Sequence, residues 1–167
     1  AGFDFLGFTV RQFLTGKYRS RQGFKTIIKP SKEAQKRHLL KMAETIHTHR
    51  GSNQTALLRA VNPKIRGWVN YYRPCCAKKV YERMDSQLYW KVHKWAKWRH
   101  PRKTARWRHQ RYWQRKRERL DFCDGHTTLV KYADTKIRRH TKVQGDKSPF
   151  DGDWTYWVPR LGRDPCK

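Results

Sequence analysis

Apolar and polar positions alternate through Phe3, Phe5, Leu6, Phe8, Val10 and Phe13, close to the period of a half-buried β-strand, and a second β-prone run spans Phe24 to Ile28. Together the two runs predict a β-hairpin. Its connector, Thr15 to Gly23, carries Lys17, Arg19 and Arg21 and reads as a solvated loop. The period then changes. Pro30-Ser31 offers an N-cap with Glu33 in the first turn, and Leu39, Met42, Ala43 and Ile46 recur at i, i+3, i+4 and i+7 until Gly51. That is an amphipathic helix with Lys32, Lys36, Arg37 and Lys41 on its outward face. A short second helix is predicted from about Ser52, carrying Leu57, Leu58 and Val61, and Asn62-Pro63 supplies a cap and a first-turn proline for a third. The third buries Ile65, Trp68, Val69 and Tyr72. Pro74-Cys75-Cys76 interrupts the chain, with the cysteines packed at the joint, and a longer helix follows whose stripe is Val80, Met84, Leu88, Val92 and Trp95, ending before Pro101.

The fold class is therefore mainly α. An N-terminal β-hairpin (1–29) leads into a small helical bundle (30–100), and a basic helical and small mixed α+β region (101–167) closes the chain. In that last region Leu129 to Tyr132 and Arg138 to Val143 are β-prone, and turn signals stand at Asp124-Gly125, Gly145-Asp146 and Asp151-Gly152-Asp153. Its small core is expected to draw on Phe122, Phe150, Trp154, Tyr156 and Trp157.

Charge changes the picture from a fold to a partner. Forty Lys and Arg stand against 13 Asp and Glu, a formal net charge of +27, which is the sign and size that attract a polyphosphate. Eight tryptophans exclude the aromatic-poor composition of a disordered chain. No run approaches the roughly 18 apolar residues of a membrane span, and the N-terminus lacks the apolar core of a signal peptide, so no membrane partner is expected and the chain reads as soluble and intracellular. Cysteines 75, 76, 123 and 166 include no C-x2-C pair and read as reduced thiols. The first residue is Ala and not Met, and the chain reads as a piece of a longer polypeptide.

The densest charge lies between Lys91 and Arg119, where 13 basic residues face one acid, Glu118, and are interleaved with Trp95, Trp98, Trp107, Tyr112 and Trp113. Cations neutralise phosphates and flat rings stack on unpaired bases, so the nucleic-acid-binding candidates there are Lys91, Lys94, Lys97, Arg99, Arg102, Lys103, Arg106, Arg108, Arg111, Arg115, Lys116 and Arg117. Of the rings, Trp95 falls on the apolar stripe and is assigned to packing. A second candidate cluster, Lys64, Arg66, Asn70 and Arg73, is placed on the polar side of the third helix. Catalytic signals are thin. Tyr132-Ala133-Asp134 begins like the polymerase signature that ends in two metal-binding aspartates, but Thr135 stands where the second is needed. Asp151 and Asp153 flank a glycine as a turn does, and Cys123 with His126 makes a lone C-x2-H pair with no matching partner. The segment reads as a binder, with no catalytic residue, no metal site and no cofactor of its own.

At Phe3-Asp4-Phe5-Leu6-Gly7-Phe8, and more specifically at Asn62-Pro63-Lys64-Ile65-Arg66-Gly67-Trp68-Val69-Asn70-Tyr71-Tyr72, the sequence resembles the bacterial group II intron-encoded proteins, the reverse transcriptase–maturases. The first block is similar to the last conserved part of the reverse transcriptase palm, the second to the maturase or thumb region. A third, Ser148-Pro149-Phe150-Asp151-Gly152-Asp153-Trp154-Thr155-Tyr156-Trp157 with Arg160-Leu161-Gly162, is similar to the end of the family's DNA-binding region. The resemblance implies that 1–29 ends the palm, 30–100 is the thumb/maturase bundle and 101–167 the DNA-binding region. It implies group II intron RNA, target DNA and an upstream palm as partners, and a role in splicing and intron mobility in the bacterial cytoplasm, at the nucleoid when on target DNA. The polymerase carboxylates would lie upstream of Ala1, and Mg²⁺ would be held by the intron RNA and the polymerase domain. Many members continue into an HNH nuclease, whose paired cysteines and metal-bound histidine do not occur here. A stand-alone structural RNA-binding protein of a large ribonucleoprotein is the alternative that composition and charge fit equally well.

Overall fold

A computed structural model describes residues 2–16, 18, 23–116, 118–138, 143–148 and 150–161, without the side chains of residues 116 and 161. Three antiparallel strands come first, β1 (Gly2–Phe5), β2 (Phe8–Leu14) and β3 (Phe24–Pro30), in the order β1-β2-β3. The predicted hairpin is thus one strand short. Leu6 and Gly7 both take positive φ, 46° and 81°, and form a two-residue turn inside what reads as a single alternating run, pairing Phe5 with Phe8. Gly7 is required twice over. Its φ is left-handed, and an added Cβ would lie 2.7 Å from the Tyr72 hydroxyl, which donates to the Gly7 carbonyl. Of the connector, Lys17, Arg19 and Arg21 lie outside the described residues.

Helix α1 (Lys32–Thr48) starts where the sequence places it, with the Ser31 hydroxyl accepting from the Ala34 N–H at 3.1 Å. The next two predicted helices are one, α2 (Gln54–Tyr72), capped by Asn53 and running through Pro63. Pro63 has no N–H for the Arg59 carbonyl, yet the helix continues because Asn62 is not a cap. It is buried, and its amide donates to the Thr128 carbonyl at 3.0 Å and accepts from the Val130 N–H at 2.9 Å. Leu58, Val61 and Ile65 meanwhile lie on one uninterrupted buried stripe. Helix α3 (Lys78–Arg99) follows the joint, where Cys75 is buried and the Cys76 N–H donates to the Ile28 carbonyl.

Helices α1 and α3 run parallel, with α2 antiparallel to both. Gln35 meets Arg83 near one end of the pair, and the Trp95 indole N–H donates to the His49 carbonyl at 2.8 Å near the other. Between the three lie Met42, Leu57, Ile65, Tyr81, Met84, Leu88 and Val92, all buried. The chain does not leave this core at residue 100. Helix α4 (Ala105–Tyr112) and the hairpin β4 (Trp113–Lys116) and β5 (Arg119–Phe122) bring Tyr112 and Phe122 onto Trp95, with ring centroids of Tyr112 and Trp95 5.2 Å apart, and Trp113 onto Phe122. Leu129 to Lys131 forms no strand and crosses the bundle as an extended segment, ending in a 3-10 turn at Tyr132–Asp134. Asp85 of α3 fastens it, accepting from the N–H groups of Tyr132 and Ala133 at 2.8 and 2.9 Å. The compact unit ends at Ile137.

A second, small unit begins at Arg138 and holds α5 (Trp154–Leu161). Residues 139–142 of the β-prone run lie outside the described residues. Of the expected tail core Trp157 is buried here; Phe122 is buried in the first unit instead, and Phe150 and Trp154 are 97% and 64% exposed. A segment this short cannot surround five large rings. Polar contacts order it instead, with Asp151 accepting from the Asp153 N–H and the Trp157 indole, and Asp153 from the Tyr156 N–H.

Trp95→Ala should lower stability by about 3–5 kcal/mol in urea unfolding, as a large buried ring removed from a tight core does. Asp85→Ala strands two N–H groups and should cost about 2 kcal/mol. A third expectation concerns His38, buried on α1 with Nε2 2.8 Å from the Tyr132 hydroxyl and its ring stacked on Trp68. Burial, helped by Lys41 and Lys64, pushes its pKa down to about 4. The unfolded imidazole takes a proton near its ordinary 6.5. Stability is therefore full above that value and declines as pH falls from about 6.5 towards 4, by on the order of 3 kcal/mol. His38→Gln should flatten this slope in unfolding curves across that window, and an unchanged slope would assign it to other groups.

Candidate nucleic-acid interface

The parallel pair α1 and α3 leaves a seam on its outer side with two concavities along it, and a third continues beside the end of α3. The first, about 420 Å³, is lined by Lys32, Lys36, Leu40, Arg83 and Lys91. The second, about 370 Å³, shares Lys91 and adds His47, Arg50, Lys94 and Trp98 over a floor of Ala43, Ile46 and Trp95. The third, about 560 Å³, shares Lys94 and Trp98 and adds Lys97 and Pro101. Neighbours on a helix surface are three or four residues apart, which is why Lys32, Lys36 and Leu40 of α1, and Arg83, Gln87, Lys91, Lys94 and Trp98 of α3, meet along one line. No Asp or Glu lines any of the three among the described residues.

A fourth concavity, about 780 Å³, opens between α1 and α2 and is walled by His38, Lys41, Thr48, Lys64 and Trp68, with Glu44 at its side. Lys64 Nζ donates to Thr45 Oγ1 across it at 2.6 Å. The predicted cluster on α2 is divided by the helix itself. With 3.6 residues per turn, Lys64 lies about half a turn from Arg66 and Arg73. Lys64 accordingly faces α1, while Arg73 donates from Nε to the Lys136 carbonyl at 3.2 Å and Arg66 and Asn70 are exposed.

The dense basic stretch is also redistributed. Lys91 and Lys94 line the seam, and Lys97 the concavity beside the end of α3. Arg99 donates to the Gly51 and Ser52 carbonyls at 2.9 and 2.6 Å, tying α3 to the turn after α1. Arg108 is only 8% exposed, and its guanidinium reaches the carbonyls of His100 and Lys103, so it holds the bend between α3 and α4. Arg102, Lys103, Arg106, Arg111 and Arg115 are exposed on the α4 and β4 side, with Lys103 Nζ 5.4 Å from the centre of the Trp107 ring. The side chain of Lys116 and all of Arg117 lie outside the described residues. Of the seam's remaining cations, Lys32 and Lys36 were legible only as an outward helix face, and Arg50 and Arg83 were not singled out by the sequence; what brings α1 to the lysines of α3 is the parallel packing.

The tryptophans divide in the same way. Trp95 and Trp113 are core, whereas Trp98, one turn beyond Trp95, is 50% exposed and carries the Arg50 guanidinium 4.0 Å from its ring centre. Arg50 is itself steadied by His47 Nε2 at 2.9 Å from its Nη1. The Tyr132-Ala133-Asp134 run is structural: Tyr132 is buried and Asp134 pairs with Arg119 at 2.9 Å. Cys123 is buried, its Sγ accepting from the Gly125 N–H at 3.3 Å.

No curated protein matches the chain. A family model does, that of the group II intron, maturase-specific domain, over residues 35–113. The match begins one turn into α1 and ends on Trp113, so it takes in the three stacked helices, the whole length of the seam from Gln35 onward, and α4. Over residues 35–113, just under half of its length, the chain is thus similar to the maturase-specific domain of group II introns.

Proposed function

We propose that the chain acts as an RNA-binding splicing factor of its group II intron, gripping the folded intron through the α1–α3 seam and favouring the splicing-competent form by binding it better than its competitors. The observation that carries this is the coincidence of the maturase match with a seam whose charged walls are lysine and arginine, with no carboxylate among the described residues that line it. Helical RNA presents phosphates and 2′-hydroxyls across a shallow minor groove, so recognition along such a seam is by shape and backbone. Mg²⁺ and the chemistry of strand transfer belong to the intron RNA in this reading.

The exposed arginines of α4 and β4 form a separate surface, which we assign to target DNA. The sheet supports an upstream reverse transcriptase palm as a third partner. Its register puts Phe3, Phe5, Phe8, Val10 and Ile28 on one face, and Phe3 and Phe5 are more than 60% exposed, an apolar surface suited to protein cover.

Equilibrium binding to a folded group II intron RNA, beside an unrelated structured RNA of equal length, tests the reading over a salt series. Preference for the intron that survives high salt is expected; equal binding that collapses with salt would defeat it. Lys36→Ala, Lys91→Ala and Lys94→Ala combined should weaken intron binding and lower the log–log salt slope by about two to three, roughly one for each phosphate that is no longer neutralised. Arg106→Ala with Arg111→Ala should leave that slope unchanged and reduce DNA binding. A loss of RNA binding alone in the arginine pair would reverse the assignment of the two surfaces.

A further inference from the structure

We infer that Trp98, backed by Arg50, is a stacking platform for an unpaired nucleobase of RNA, with Lys94 and Lys97 placed for the phosphates on either side of it. The inference rests on the proposed RNA-binding reading and adds to it a single-stranded element that backbone recognition alone does not need.

Four observations meet at this residue. Trp98 keeps half of its surface in solvent, although Trp95, three residues earlier, is buried and the helix could have turned an aliphatic or charged side chain outward at this position at no loss to the core. Arg50 lies over it at 4.0 Å and donates to His47, so the ring and the guanidinium form a two-layer stack. Trp98 forms a wall of two concavities, and Arg50 lines only one of them; the other, about 560 Å³, is bounded by Lys94, Lys97, Trp98 and Pro101 and leaves the ring open. Finally, no carboxylate lines either concavity among the described residues, so the lysines there have a local need for anions that the protein does not meet.

A base has two flat faces and a flanking phosphate about one residue's reach away on each side. An aromatic platform beside lysines matches that pattern, and sequence-tolerant stacking of this kind is what single-strand binders use. A perfectly paired duplex offers no free base face to Trp98, so it can use the lysines but not the ring. The site therefore distinguishes intron elements with a bulged or looped nucleotide from continuous helix.

The test compares the whole chain, wild type and Trp98→Leu and Trp98→Phe, for binding to an unstructured oligouridine of about 12 nucleotides and to a blunt RNA duplex of equal length at fixed salt. Trp98→Leu should weaken oligouridine binding by about tenfold, in the range of stacking on one ring, and duplex binding less than twofold, and Trp98→Phe should recover most of the affinity. Oligouridine carrying 5-bromouridine should photocrosslink to Trp98 in the wild-type chain, which decides the matter even if a variant melts early. Equal effects on the two ligands, no effect on either, or crosslinks mapped only elsewhere would overturn the platform. A wild-type chain that binds neither ligand at low salt would overturn the RNA-binding reading itself.

Discussion

Carboxylates are scarce in this chain, 13 for 40 lysines and arginines, and their placement governs what the rest of the molecule can do. Self-repulsion at a net charge of +27 opposes any compact state. The acids that the fold does use are set where one group secures two contacts. Asp85 takes two backbone N–H groups, and although burial pushes its carboxyl up, those two bonds oppose the shift. Asp124 closes its turn on the N–H groups of His126 and Thr127, while Asp121 and Asp134 pair with Lys131 and Arg119 beside the β4–β5 hairpin. Asp151 and Asp153 order the second unit, with Lys147 and neighbouring hydrogen bonds holding Asp153 at about 2. Carboxylates committed to architecture are absent from the seam. The same distribution that lets the chain fold leaves the α1–α3 seam without carboxylate counterions among the described residues.

The parts of the fold legible in sequence are those decided locally. The Ser31 cap and the stripes of α1 and α3, Trp95 among them, repeat at intervals of three and four residues, and periodicity reports them. What it could not report depends on residues far along the chain. Asn62-Pro63 is a good helix start until Thr128 and Val130 arrive to occupy the asparagine. Leu6-Gly7 is a poor hairpin signal beside Asn-Gly, and its turn is fixed by Tyr72, 65 residues away. Phe122 is counted with the tail by position and with the bundle by contact.

The charged surface was legible in kind and not in arrangement. Density of charge picks out Lys91, Lys94 and Lys97, which line concavities beside α3, yet the same count included Arg99 and Arg108, whose forks donate to carbonyls. Nothing in spacing separates an arginine that closes a bend from one that faces solvent. The grouping of Lys64 with Arg66, Asn70 and Arg73 failed for a simpler reason. A polar side of a helix spans more than half its circumference, and its two margins face different neighbours.

Rigid placement is what turns a cationic surface into a recognition surface. Lysines on a mobile loop would neutralise phosphates of any RNA and lose side-chain and backbone freedom in doing so. Here α1 and α3 are tied at both ends, by Gln35 with Arg83 and by His49 with Trp95, and Arg99 fastens α3 to the turn after α1. The helix backbones that carry Lys36, Lys91 and Lys94 are therefore fixed relative to one another before any RNA arrives, which reduces the ordering penalty of binding. It also makes the seam intolerant of phosphates at the wrong spacing. In the proposed reading, preference among folded RNAs then follows from geometry, with charge supplying the attraction common to them all.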